Sequence, residues 1–265
     1  MKDGFQKTHH EKTKVSSLIL VHGLSNVHQW GDEFISVCLE KFGSGNVFLV
    51  SMNKSTDVRT REIEGRTVTI CGNNTHLFGA TDYISKQVNF LEEKVSVLAA
   101  RGLSDKFSII AHSMGGLVSR NFIYRNPATV SNLVTIATPH NGSPLAHSLK
   151  LPGYLIMANK AISNLSPEFI NEFNRKYPVS GSPLAEGGAI WTIDGRSSGC
   201  SLGWCGEVAI CRFVMKRIHH VESDGFVPWG NARIDGAPHI ASFENLDHYQ
   251  LVHKREVAVA ACSRL

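Results

Sequence analysis

Residues 111–116 read Ala-His-Ser-Met-Gly-Gly and follow directly on the apolar run Phe107-Ser108-Ile109-Ile110. The pattern small-x-Ser-x-Gly predicts one local backbone: a strand, a sharp turn and a helix, with the Ser113 hydroxyl lifted out at the top of a sheet. Small residues are required two before and two after the serine, because larger ones would collide with the neighbouring strand and helix. Ala111 takes the first place and Gly115 the second. A helix N-terminus then lies behind the hydroxyl, where it favours developing negative charge. The turn thus constrains both the architecture, a buried strand feeding a helix, and the chemistry, attack by a serine on an acyl carbonyl.

The rest of the chain fits that architecture. Strands are expected at Ser16 to Val21, Asn46 to Met52, Phe107 to Ala111, Val130 to Ala137, Ala189 to Ile193 and Ala237 to Phe243. Helical spacing of apolar residues marks Trp30 to Phe42, Asp82 to Arg101, Gly115 to Arg125 and Tyr249 to Ala261. Thr67 to Ile70 alternates as a half-exposed strand, and Gly65 could turn it back on the segment around Ile63. Residues 195–212 read as a loop and Val214 to Val221 as a further extended run. Continuous apolar strands alternating with helices predict an α/β class, with a mostly parallel sheet covered on both faces.

Residues 145–185 have a different texture. One helical pattern places Leu155, Ala158, Ile162 and Leu165 on a face; a second is capped by Ser166, with Pro167 at its first position and Phe169, Ile170 and Phe173 following. The expected division is a polar tail at 1–15, a core at 16–144 and 186–265, and a helical cap at 145–185. Set over Ser113, that cap is either a lid for a greasy substrate or a static cover completing the core.

Composition excludes several classes. The net charge of +4 is small and the basic residues are scattered, which argues against nucleic acid. No apolar run approaches a membrane span of about 20 residues. The first dozen residues lack the apolar core of a secretory leader, which leaves three alternatives open: the chain stays in the cytoplasm, a leader has been removed, or export uses another route. Cys38 and Cys262 fall in apolar helical patterns and read as buried thiols. Cys200, Cys205 and Cys211 cluster near a Gly/Ser-rich loop, where a local disulfide or simple thiols fit better than zinc, since no second closely spaced pair follows.

A serine needs a base, usually a His oriented by a carboxylate, and in this topology the order is Ser, acid, His. Asp194, Glu222, Asp224 and Asp235 follow Ser113 near strand ends; Asp224, with Gly225 behind it for a tight turn, is the favoured acid. His248, just before the last helix, is the favoured base, because His239 sits inside a strand, His253 inside a helix, and His219 and His220 precede the acid. Oxyanion donors are expected at the backbone N–H of Met114 and of Leu24, the latter beside Gly23, which permits close approach. His112 reads as a packing or positioning residue. His22 reads as a brace for the oxyanion loop, and with Leu155 and Ile162 it borders the expected substrate pocket.

Together Val21-His22-Gly23-Leu24, Ala111 to Gly116, Ala137-Thr138-Pro139-His140-Asn141-Gly142-Ser143 and the stretch from Leu165 to Pro178 resemble the bacterial true lipases of the α/β-hydrolase superfamily. The elbow also resembles that of the small Bacillus-type lipases. The resemblance implies the α/β-hydrolase fold and a cofactor-free serine ester hydrolase acting on lipid or small esters, with transient contact at a lipid interface. The places of the Pseudomonas-type calcium ligands hold about Gln250 and Lys254, so no metal is implied, and the lid region is shorter. A phospholipase, a lipid acyltransferase or an acyl-protein thioesterase would use the same triad, and a ligand-binding hydrolase-fold protein with little turnover is a further alternative.

Overall fold

The computed structural model describes residues 16–24, 30–73, 82–148, 159–197 and 205–265. Among these, eight strands form one sheet: Ser17–Val21 (β1), Val47–Val50 (β2), Val58–Ile63 (β3), Arg66–Cys71 (β4), Phe107–His112 (β5), Val130–Ile136 (β6), Ile190–Arg196 (β7) and His239–Glu244 (β8). Their order is β3-β4-β2-β1-β5-β6-β7-β8. Every neighbouring pair is parallel except the β3–β4 hairpin, which turns at Gly65 with φ of 73°. The order reverses between β1 and β5, the position at which open α/β sheets leave a crevice at the strands' carboxyl ends.

Alternation along the strands feeds two cores. In β1, Ile19 and Val21 face the same side as Ile109 and Ala111 of β5, while Leu18, Leu20 and Ile110 face the other. The first side is covered by Ile84–Ala99 (α2) and Met114–Arg125 (α3), through Val88, Leu91, Leu117 and Phe122. The second is covered by Asp32–Phe42 (α1) and Arg255–Cys262 (α8), through Phe34, Ile35, Val257 and Ala261. Cys38 and Cys262 meet between those two helices with sulfurs 3.8 Å apart, both buried as expected. Each fully buried Leu, Ile, Val or Phe contributes roughly 1.5–3 kcal/mol.

Among the described residues between β6 and β7 are three short helices, Leu145–Ser148 (α4), Asn159–Ser163 (α5) and Pro167–Lys176 (α6). Ser166 caps α6 as expected, its Oγ accepting from Phe169 N at 3.3 Å. The helix is anchored rather than loose: Ile170 and Phe173 are buried in the first core. Arg120 of α3, itself buried, donates to Asn174 Oδ1 at 2.9 Å and to the Tyr177 carbonyl, and stacks over the Phe173 ring. The same guanidinium meets His140 Nδ1 at 3.1 Å, and His140 Nε2 donates to Thr135 Oγ1 at 3.0 Å, tying α3, β6 and α6 into one buried network.

Two expectations are corrected. Residues 205–217, read as loop and the start of an extended run, form a helix, Cys205–Arg217 (α7). Its apolar residues point both inward and outward, so no clean helical stripe is present to be read. The last helix is shorter than expected: a 3-10 turn at Gln250–Val252 precedes α8. Leu155, Cys200 and the polar tail lie outside the described residues. No helix among the described residues is long and apolar enough to cross a membrane.

Candidate active site

Ser113 sits at the turn between β5 and α3 with φ of 54° and ψ of −133°, a conformation that costs a non-glycine residue of order 1–3 kcal/mol and persists only where neighbours enforce it. They do so from three sides. The Ser113 N–H donates to Ile136 O at 2.9 Å, and its carbonyl accepts from Thr138 Oγ1 at 2.7 Å. The loop after β1 presses on its side chain. A Cβ added at Gly23 would lie 2.5 Å from Ser113 Cβ and 3.0 Å from Ser113 Oγ. One added at Gly115 would lie 2.6 Å from His22 O. Glycine at both positions is therefore what lets the loop carrying Leu24 close on the serine.

His22 holds that loop. Its Nδ1 donates to Gly23 O at 2.6 Å and its Nε2 accepts from Met52 N at 2.9 Å, which fixes the tautomer. Burial pushes its pKa down to about 4, with nearby Lys94 acting in the same direction against the Gly23 carbonyl. The residue is 5% exposed and both ring nitrogens are occupied, so the ring ties the loop after β1 to the segment after β2. Lys94, in the middle of α2, is fully buried and donates to the carbonyls of Asn53 and Ser55, closing the adjacent loop after β2. Its burial was not anticipated, although its position in line with Gln87, Leu91 and Leu98 on the buried side of α2 is a sequence signal.

Asp224 lies at the carboxyl end of β7, because Ser197, one residue past that strand, donates its N–H to Ser223 O at 3.1 Å. A one-bridge turn pairs Ser223 with Pro228. Within it, Asp224 Oδ1 accepts from Phe226 N at 2.9 Å and Val227 N at 2.8 Å, leaving Oδ2 for His248 Nδ1 at 2.7 Å. His248 N also donates to Asp224 O at 3.0 Å. Residue 248 is further held from β5: His112 Nε2 donates to His248 O at 3.0 Å, and the two rings are 4.4 Å apart. Burial first, and the neighbouring His248 second, keep His112 well below the usual histidine pKa, so it is a neutral positioning residue. Phe226, which the sequence reading passed over, packs its ring 5.1 Å from that of His248.

The structure thus brings Asp224 and His248 into direct contact. It ties His248 to His112, the residue beside Ser113, and sets Gly23 against Ser113. Met114 opens α3 as its first residue. The rival carboxylate, Asp194, is engaged elsewhere, pairing with Arg233 at 2.8 Å. Of the expected pocket residues, Ile162 is half-buried on α5. Among the described residues no cluster of His, Cys, Asp and Glu is placed to hold a metal ion.

With this geometry in place, comparisons are informative. The sequence model of the PGAP1-like alpha/beta domain matches residues 17–169. No curated protein matches the sequence. Among solved structures, the mature lipase BlEst2 of Bacillus licheniformis is 17% identical, with a TM-score of 0.59 over 96% of this chain and 93% of that one. The metagenomic carboxyl esterase MGS0156 is 16% identical, with a TM-score of 0.60 over 95% of this chain and 75% of that one. Phospholipase PlaB of Legionella pneumophila is 17% identical, with a TM-score of 0.53, over 82% of this chain but only 45% of its own length. At these identities the likeness is one of fold, and that fold is the α/β-hydrolase fold.

Proposed function

We propose, from the premise that this chain belongs to the PGAP1-like alpha/beta domain family, that it is a serine hydrolase of lipid carboxylic esters. The observation that carries the reading is the Asp224–His248 contact of 2.7 Å, held beside the strained serine by the His112 bond to the His248 carbonyl. With Nδ1–H committed to Asp224, Nε2 is the acceptor of the imidazole. Ser113 Oγ attacks the ester carbonyl and gives its proton to His248 Nε2, and Asp224 stabilises the imidazolium that forms. The backbone N–H groups of Leu24 and Met114 receive the oxyanion. His248 protonates the leaving alcohol, the acyl group stays on Ser113, and a water activated by His248 then releases the acid.

The lipid character of the substrate is read from the fold neighbours, which include a lipase and a phospholipase, and from the helical spacing of Leu155, Ala158, Ile162 and Leu165 in the sequence of the expected cap. Within that cap, α6 serves as a fixed wall, because Arg120 and two buried side chains hold it.

The test is hydrolysis of p-nitrophenyl esters from short to long acyl chains by the native protein and by Ser113→Ala. Loss of the nucleophile is expected to cost on the order of a million-fold in turnover. Residual activity within tenfold of native would remove Ser113 from the mechanism, and an optimum at the shortest chains would remove the lipid substrate.

A further inference from the structure

The helix α7 carries a surface that ester hydrolysis does not use. Its inner side is core: Val208 packs on Gly225, and Cys211, Val214 and Met215 form an apolar cluster with Leu145 and Phe226, the same Phe226 that lies against His248. The outer side of such a helix is ordinarily polar. Here Ile210 is 55% exposed, Phe213 is 62% exposed, and Ile218, one residue past the helix, is 59% exposed. These are three of the five large apolar side chains standing exposed among the described residues; Ile210 and Phe213, three residues apart, share the outer face of the helix, and Ile218 stands at its carboxyl end, while the other two, Tyr83 and Val259, are on other helices or their caps.

Cations accompany them. Lys216 and Arg217 are exposed on the same outer surface, and Arg212 is on its flank. A cavity of about 520 Å³ opens beside the helix, with Arg212, Lys216 and Arg217 in its wall. Glu222 and Glu244 also line it, but both carboxylates are bound by Arg196, at 2.6 and 2.7 Å. The result is apolar tips set beside a cationic recess.

We propose that this face docks the protein on anionic phospholipid bilayers. Ile210 and Phe213 enter the acyl boundary, and Lys216 and Arg217 meet headgroup phosphates. One helix offering both kinds of group is what an interfacial contact takes. Because the opposite side of the helix rests on the Asp224 turn, docking would hold the lipid surface one helix diameter, roughly 10 Å, from that turn. The purpose of the contact rests on the lipid-ester reading; its existence does not.

The test is sedimentation of the full chain carrying Ser113→Ala with phosphatidylcholine vesicles, and with mixed phosphatidylcholine–phosphatidylglycerol vesicles. The expected result is binding to the mixed vesicles that added salt weakens. Lys216→Glu with Arg217→Glu should lower that binding by at least about tenfold, since each basic group near the surface is worth about fivefold. Ile210→Ser with Phe213→Ser should lower it by about tenfold through lost apolar insertion. Placed in the otherwise native chain, both double variants should hydrolyse water-soluble p-nitrophenyl acetate at the native rate. The proposal is overturned if the parent binds neither vesicle or if the variants bind as well as the parent. It is also overturned if the parent is a dimer that Phe213→Ser dissociates without changing vesicle binding, which would make a second copy the occupant. Failure of the ester-hydrolase reading would appear separately, as no Ser113-dependent ester turnover, with the sedimentation result still readable.

Discussion

At the scale of single residues, the site is held by neutral buried histidines, and this has a pH signature. His22 protonates near the ordinary 6.5 when unfolded but only at about 4 when folded. Between those values the unfolded chain binds more protons, so stability rises with pH through the window and falls on acidification. From His22 alone, moving from pH 8 to pH 5 should remove about 2 kcal/mol. His112 and His140, both held down by burial, act with the same sign. Urea denaturation at the two pH values checks this, and a stability independent of pH would contradict it. A second expectation concerns Gly23. Any Cβ there meets the Ser113 side chain, so Gly23→Ala should displace the proposed nucleophile and cut turnover by roughly a hundredfold, the scale of an ångström misplacement. The comparison to make is kcat with circular dichroism, which should register loss of activity in a folded protein.

At the scale of elements, α6 is the most instructive. Ser166→Ala removes its cap and should cost about 1 kcal/mol. Arg120→Met leaves Asn174 Oδ1, His140 Nδ1 and the Tyr177 carbonyl without their buried donor, and should cost at least about 3 kcal/mol. Thermal melts of the two variants would rank the losses; a reversed order would mean that the cap, not the guanidinium, fixes the helix. This element was legible in advance because Ser-Pro followed by spaced aromatics has a local cause. The same holds for β5 and its turn. By contrast, α7 was read partly as loop and partly as extended, because Ile210, Phe213 and Ile218 face solvent while Cys211, Val214 and Met215 face inward, erasing the period that periodicity reading needs. Asp224, which contacts His248, is singled out in the sequence by Gly225 and chain order, although it follows a helix and lies within a one-bridge turn rather than at the end of a strand. The Arg120 network is not legible, since nothing local in the sequence says that a basic side chain will find carbonyls and amides from distant segments, whereas the buried Lys94 is signalled by its place in line with Gln87, Leu91 and Leu98.

At the scale of the molecule, the parallel order was readable from continuous apolar strands, whereas the meeting of site residues is a property of the whole sheet. Ser113 is forced into its positive φ by a bond to Ile136, a bond from Thr138 and the contact with Gly23, so β1, β5 and β6 must all be in register before the turn can exist. His248 arrives only after β8 has joined β7. Such long-range strand pairings form slowly, whereas helices form within microseconds. On dilution from denaturant, ester hydrolysis should therefore return later than helical circular dichroism, and simultaneous recovery would indicate a turn formed locally. On the proposed mechanism the strain at Ser113 thus acts as a timer on maturation: a chain with its helices formed but its sheet unfinished holds a serine of ordinary backbone and ordinary reactivity, and the proposed nucleophile is set only when the last strands have closed around it.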